Sequence, residues 1–366
     1  MKKEDMIIGG YYGFGSIGDE AILDSILESI SLSGFSGRVY VINSRSKREG
    51  RVIKISRLSL LRLIYTFARS RIFIFGGGSL LQDSTSRRSL FYYEALLVLA
   101  RALGCRIYIF ANGIGPVSQR RALKKVISFA HLVSVRDPDS YEILKRLNAD
   151  SNIILSADPV FKKYTAKYKK RPLACLSTLS GRRYFAISLR SCKRRDNIDL
   201  ESLCAVVNEL SAEGLVPLYV PMQREYDLDI CRRARLITGG VIADAADMDD
   251  VMHILSGAEL SIGMRLHFLI ASAMVGTPLV ALSYDRKVKS AVEYLGLDTA
   301  VDAFSFSKKE LLAAVSTARS SPDRDALFSR CEYLATLSQK DGEHLSSLFV
   351  KCGEEEEKER REQVSG

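Results

Sequence analysis

The sequence predicts an α/β protein made of two Rossmann-like, doubly wound domains, and three observations carry that expectation. Short β-rich apolar runs alternate with amphipathic helical stretches almost from end to end, which is the pattern of βαβ units and parallel sheets. The chain has 366 residues, enough for two domains at roughly 150 residues each. A basic connector, Lys162 to Arg183, separates one set of alternating runs from a second. The expected division is a first domain over 1–165, a linker over 166–183, a second domain over 184–350 and a charged tail over 351–366.

In the first half Met6–Ile8 reads as a strand, after which Ala21, Ile22, Leu23, Ile26, Leu27 and Ile30 recur at helical spacing. Further strands are expected at Arg38–Ile42, Arg71–Phe75, Arg106–Phe110, Leu132–Val135 and Asn152–Leu155, with helices over Leu90–Leu103 and Gln119–Phe129. The second half supplies Tyr184–Leu189, Leu215–Val220, Leu260–Ile262 and Leu279–Leu282. Between the last two lies a helix, Phe268–Val275, stopped by Gly276 and Pro278.

Composition excludes several classes. With 47% hydrophobic and 26% charged residues the chain is globular, not disordered or collagenous. The longest nearly uncharged apolar stretch, Phe268 to Leu282, falls short of the roughly 18 residues a membrane helix needs. The amino terminus breaks into acidic residues and glycines where a secretory signal needs an unbroken apolar segment, so a cytoplasmic protein is expected. Seven scattered cysteines form no CxxC pair and have no histidine at ligand spacing, so they read as reduced, mostly buried thiols. Net charge is +10, and the tail from Gly353 contributes −3, leaving the body at about +13. Such a body favours an anionic partner. Nucleic acid is one candidate, but tryptophan, zinc-finger spacing and a basic heptad region are all missing. A phosphorylated metabolite or the inner face of an anionic membrane fits the charge as well.

Parallel sheets bind ligands beyond the carboxyl ends of their strands, and the unusual residues fall in those loops. Gly13, Gly15 and Gly18 satisfy GxGxxG between a strand and a helix. A dinucleotide is disfavoured, because the second strand ends without a ribose-binding acid and Asp19 with Glu20 would oppose a pyrophosphate. Those two acids either cap the helix or act on a ligand. A second glycine run, Gly76 to Gly78, makes a tight turn or a ligand floor, and without a following GK[ST] it is no P-loop. Ser261 to His267 places Arg265 and His267 where a buried strand becomes a buried helix, which demands a nearby anion or carboxylate. Lys287 follows the next strand, while Arg136 and Arg190 close two others. His131, His253 and His344 read as structural.

GYYGFGSIGDEAIL, GGGSLLQD with the later YYEA, NGIGP, SVRD, ADPVF, GMRLHFLI and SYDRKV occur in an order that resembles the polysaccharide pyruvyl transferase family, most of all its cell-surface-anchoring type. One departure is Ser16, where such sequences often carry Asn. The resemblance implies a GT-B-like fold with a cleft between the halves. It also implies transfer of the pyruvyl group of phosphoenolpyruvate to two hydroxyls of one sugar, with phosphate released. For the anchoring type the implied product is a 4,6-ketal on a lipid-linked β-N-acetylmannosamine. By position, the donor site maps onto Arg265, Leu266 and His267, with Arg136, Arg190 and Lys287 as further cations. Gly15, Ser16, Gly77, Gly78 and Asp83 are assigned to the acceptor.

The chemistry agrees with that mapping. Phosphoenolpyruvate carries a phosphate and a carboxylate on one small frame, which several arginines and a lysine suit. Protonating its methylene carbon creates an oxocarbenium-like centre for a sugar hydroxyl to attack, with His267 as the expected acid and Asp19 or Glu20, from the first domain, as base. No metal and no cofactor are expected, phosphoenolpyruvate being a co-substrate. A nucleotide-sugar glycosyltransferase is the rival within the same architecture. A non-catalytic nucleic-acid binder rests on net charge alone.

Overall fold

The computed structural model describes residues 4–43, 47–82, 87–115, 120–147, 152–164, 168–191, 198–320 and 324–365, with the backbone alone at 47–49, 120 and 350–365. By contact the chain forms two compact units, Met1–Phe14 with Ile22–Pro159 and Thr336–Gly366, and Gly15–Ala21 with Val160–Ala335.

The first unit holds β1 (Asp5–Gly9), β2 (Val39–Asn43), β3 (Lys47–Glu49), β4 (Val52–Ser56), β5 (Ser70–Phe75), β6 (Gly78–Leu81), β7 (Arg106–Ile114), β8 (Leu132–Val135) and β9 (Ile153–Leu155). They form one sheet in the order β3-β4-β2-β1-β5-β7-β8-β9, with β6 added on β7. Every pairing is parallel except β3 on β4. Strands β1, β2 and β8 are buried along their whole length, as expected where helices cover both faces of a parallel sheet. The chain leaves β1 to build β2 and returns across it to β5, so the strand order reverses between β1 and β5.

The second unit holds β10 (Tyr184–Ser188), β11 (Val216–Tyr219), β12 (Val241–Ile242), β13 (Ser261–Gly263), β14 (Leu279–Ser283) and β15 (Ala300–Asp302). Their order is β12-β11-β10-β13-β14-β15, all parallel, and the reversal falls between β10 and β13. Each unit has its own hydrophobic core.

All ten strands expected from the sequence are present. Strands β3, β4, β6, β12 and β15 were not legible, and β6 is the instructive one. Gly76 and Gly77 follow β5, but Gly78 already opens a strand that pairs with β7, Gly78 opposite Asn112 and Leu81 opposite Ile114. The carboxyl-terminal helix Arg324–Ser365 also departs from expectation. From Thr336 onward it belongs to the first unit, where buried Asp341 accepts from the hydroxyls of Tyr108 (2.9 Å) and Ser156. The basic connector is likewise tied down. Arg171 bonds Asp247 (2.8 Å) and Asp250 (2.6 Å), and Lys163 pairs with Asp249 (2.9 Å), so those cations are neutralised inside the second unit. Cys105, Cys175, Cys204, Cys231 and Cys331 are buried free thiols.

Candidate active site

The reversal between β10 and β13 is where an open parallel sheet parts its loops. Strand β10 runs on to Arg190. Strand β13 runs on to Arg265, which precedes the helix Leu266–Met274, and β14 runs on to Tyr284 before the helix Arg286–Tyr294. Arg265 Nε and Nη2 donate to Asp227 at 3.0 and 2.5 Å, and Nη2 lies 3.5 Å from Gln223 Oε1. Asp227 is fully buried and also accepts the Gln223 backbone N–H at 2.9 Å. It is the carboxylate that a half-buried Arg265 demands, and it comes from a helix 38 positions away, Arg224–Thr238, which no local pattern announces. These bonds use one edge of the guanidinium fork, and among the described residues Nη1 makes no hydrogen bond.

Tyr284 lies among the cations of this unit. Arg190 Nη1 donates to its hydroxyl at 2.5 Å, with the guanidinium 4.7 Å from the ring centroid. Lys287 Nζ stands 5.8 Å from the same ring. Asp285 caps the following helix by accepting the Lys287 N–H (3.2 Å) and holds its ammonium at 3.7 Å. Burial alone would raise the Tyr284 phenol, but the charges of Lys287, Arg190 and Arg265 outweigh it and leave the group below its ordinary value. Sequence reasoning did not single out Tyr284. Its only local signal is a phenol that ends a buried strand three residues before a lysine.

The first glycine loop meets the same unit. Ile17 N–H donates to Met222 O at 2.9 Å, and Ser16 bridges antiparallel to Gln223. A Cβ at Gly18 would stand 2.0 Å from His267 Nδ1, so only glycine admits the imidazole against this turn. The third glycine of GxGxxG therefore makes room for a side chain of the same unit. Asp19 accepts from the Ser16 hydroxyl, and Glu20 N–H donates to Ser16 O at 3.0 Å. Both acids lie in the first turn of the helix Ile17–Leu32. Expected to come from the first domain, they group instead with the second unit, as do Gly15 and Ser16. His267, Arg190, Arg265, Leu266 and Lys287 belong to it too, and Leu266 opens its helix half-buried.

Arg136, Gly77 and Gly78 lie in the first unit. Arg136 Nη1 bonds Asp158 at 2.7 Å and Nη2 bonds the Ser79 hydroxyl at 2.8 Å, with the two charged side chains only 6% and 5% exposed. Gly77 backs onto Ile22 and the carbonyls of Phe110 and Ala111. Asp83 lies outside the described residues. Of the histidines set aside as structural, His131 accepts the Ile107 N–H at its Nδ1 (3.1 Å). Among the described residues no group of three or more His, Cys, Asp or Glu side chains is arranged to hold a metal ion, and no helix is long and apolar enough to cross a membrane.

Solved structures share this two-sheet α/β fold over nearly the whole chain. A putative UDP-N-acetylglucosamine 2-epimerase from Listeria monocytogenes superposes with a TM-score of 0.68 at 11% identity, covering 95% of this chain and 97% of its own. The UDP-GlcNAc 2-epimerase from Methanocaldococcus jannaschii gives 0.66 at 11% identity, covering 95% and 99%. Phytolacca americana UGT2, solved with UDP-2fluoro-glucose and pterostilbene, gives 0.58 at 12% identity, covering 95% and 99%. The fold is thus the GT-B-like class of α/β proteins with two parallel sheets. Among curated protein sequences none matches. Residues 17–286, however, match the family described as Polysaccharide pyruvyl transferase, and the chain belongs to that family.

Proposed function

We propose that this pyruvyl transferase family enzyme moves the pyruvyl group of phosphoenolpyruvate onto two hydroxyls of one cell-wall saccharide, closing a cyclic ketal and releasing phosphate. The observation that carries the donor assignment is the set of Arg190, Arg265 and Lys287 around Tyr284 at the strand ends of the second unit. Arginine forks and a lysine match a phosphate and a carboxylate held on a three-carbon frame. In this reading Arg265 is aligned by Asp227 and offers Nη1 to the donor. Tyr284 holds Arg190 in place, and Leu266 contributes a backbone N–H from a helix start without a side-chain cap. Arg136, whose fork is taken up by Asp158 and Ser79 within the first unit, is left out of the donor set in this reading.

His267 gives a proton to the methylene carbon, which becomes a methyl group and leaves C2 electron-poor. A first sugar hydroxyl bonds to C2 and loses its proton to Asp19 or Glu20. The C2–O bond to phosphate then breaks, and a second hydroxyl of the same sugar adds to C2 as its proton is lost. One of the two hydroxyl protons replaces the one taken from His267, and the other leaves with phosphate. Gly15 and Ser16, grouped with Asp19 and Glu20 in the second unit, are assigned to the acceptor in this reading. The acceptor is a lipid-linked β-N-acetylmannosamine bridged at O4 and O6, as in the cell-surface-anchoring type, met in the cytoplasm at an anionic membrane. The test is to incubate the protein with phosphoenolpyruvate and a panel of N-acetylhexosamine glycosides and to look for ketal addition by mass spectrometry. Transfer from a UDP-sugar with phosphoenolpyruvate inert would replace this reading with glycosyl transfer.

A further inference from the structure

Two neighbouring helices of the first unit turn apolar side chains both inward and outward. The helix Leu60–Arg69 buries Leu63, Thr66 and Phe67, and Arg87–Ala102 buries Leu90, Tyr93, Leu96, Leu97 and Ala100. Leu63 and Phe67 share one core with Leu90, Tyr93, Leu96 and Leu97, so both helices lie over the same part of the sheet. The two helices also touch each other. On a helix facing only water the outward positions carry polar residues. Here Leu58 is 85% exposed, Leu61 84% and Phe91 73%, with Leu60, Ile64, Tyr65 and Val98 also exposed. Phe91, Ala95 and Val98 are spaced to share one face of their helix.

The charges beside these side chains are of one sign. Arg57, Arg62, Arg87, Arg88 and Arg101 are exposed on or beside the two helices, and the one acid within them, Glu94, is half-buried. A second copy of the chain would bring like charges together, whereas an anionic lipid surface meets both features at once.

We propose that the outer face of Leu60–Arg69 and Arg87–Ala102, with Arg57 and Leu58 at its edge, docks on an anionic bilayer. The leucines and Phe91 enter the headgroup boundary and the arginines pair with lipid phosphates. The inference rests on the membrane contact in the functional reading above and gives that contact a surface.

The full-length protein is centrifuged with sucrose-loaded vesicles of phosphatidylcholine, alone or mixed with phosphatidylglycerol. Binding is expected to the mixed vesicles, at least about tenfold weaker on phosphatidylcholine alone and weakened by salt. Leu58→Ser with Leu61→Ser lowers it about tenfold or more, and Arg62→Gln with Arg88→Gln about tenfold. Both pairs keep their thermal unfolding midpoint and their transfer to a soluble glycoside. Absence of binding by the native protein, or undiminished binding by the Leu58→Ser, Leu61→Ser protein, overturns the proposal. So does a dimer in sedimentation velocity that this double substitution converts to a monomer. Loss of ketal formation with vesicle binding intact would instead overturn the functional reading and leave the docking face standing.

Discussion

The two strand-order reversals obey one topological rule and end differently. Between β1 and β5 the space beyond the strands is filled by Tyr12, which is fully buried and so close to Gly10 and Gly76 that a Cβ on either would strike its ring or hydroxyl. Asn112 closes this region further by donating to Phe75 O and Gly76 O at 3.1 and 3.0 Å. Between β10 and β13 stand Arg190 and Arg265, both partly exposed. The arginines teach the same lesson. Arg136 is sealed against Asp158, while Arg265, 15% exposed, is held by Asp227 along one edge. A tyrosine in each unit repeats it. Burial and Asp341 push the Tyr108 phenol well above its ordinary value, whereas three cations pull Tyr284 down. A strand end becomes a site where its charges stay within reach of a ligand.

The sharpest way to break this contrast is to remove Arg136. Arg136→Ala leaves Asp158 buried without its countercharge and is expected to cost about 3–5 kcal/mol of stability in urea denaturation. A loss below about 1 kcal/mol would mean that the pair behaves like a surface bridge and the two units do not differ as described.

Next in size is His267→Ala, expected to lower turnover at least about 100-fold, or roughly 2.7 kcal/mol of transition-state stabilisation, with circular dichroism unchanged. Near-normal turnover would take His267 out of the mechanism.

The smallest effect is the most diagnostic. Tyr284→Phe removes the Arg190 hydrogen bond, a loss of about 1 kcal/mol in donor binding. A phenol whose value is lowered by folding stabilises the native state in full above its ordinary value of 10.0 and loses that contribution as pH falls through the lowered value. Tyrosinate absorbance in the native protein should therefore show one phenol titrating early. That phenol disappears in Tyr284→Phe and moves up in Arg190→Met. An unchanged titration curve would remove the cation cluster from the picture.

Much of the fold was legible because parallel strands buried on both faces must be continuously apolar, as at Ile187 in β10 or Val280 in β14. The edge strand β12 has only two residues, and β6 begins with glycine, so neither carries a periodic signal. Arg190, Arg265, His267 and Lys287 stood out because ionisable side chains next to the ends of buried strands need a reason. Asp227 and Tyr284 did not, since an acid inside a helix and a tyrosine near a strand end are ordinary until their neighbours are known. Asp19 and Glu20 were recognised as a helix mouth but assigned to the wrong half of the molecule, because sequence proximity to β1 says nothing about the Ser16–Gln223 bridge.

What the sequence by itself determined is the alternation of strand and helix, the two sheets and the family, all of which follow from local periodicity and short motifs. Only the tertiary structure decided which carboxylate faces Arg265, which side chain occupies the gap beside Gly18, and which of the two reversals is filled. Those outcomes depend on pairs far apart along the chain, whose distance in space is set by packing and leaves no trace in the spacing of residues.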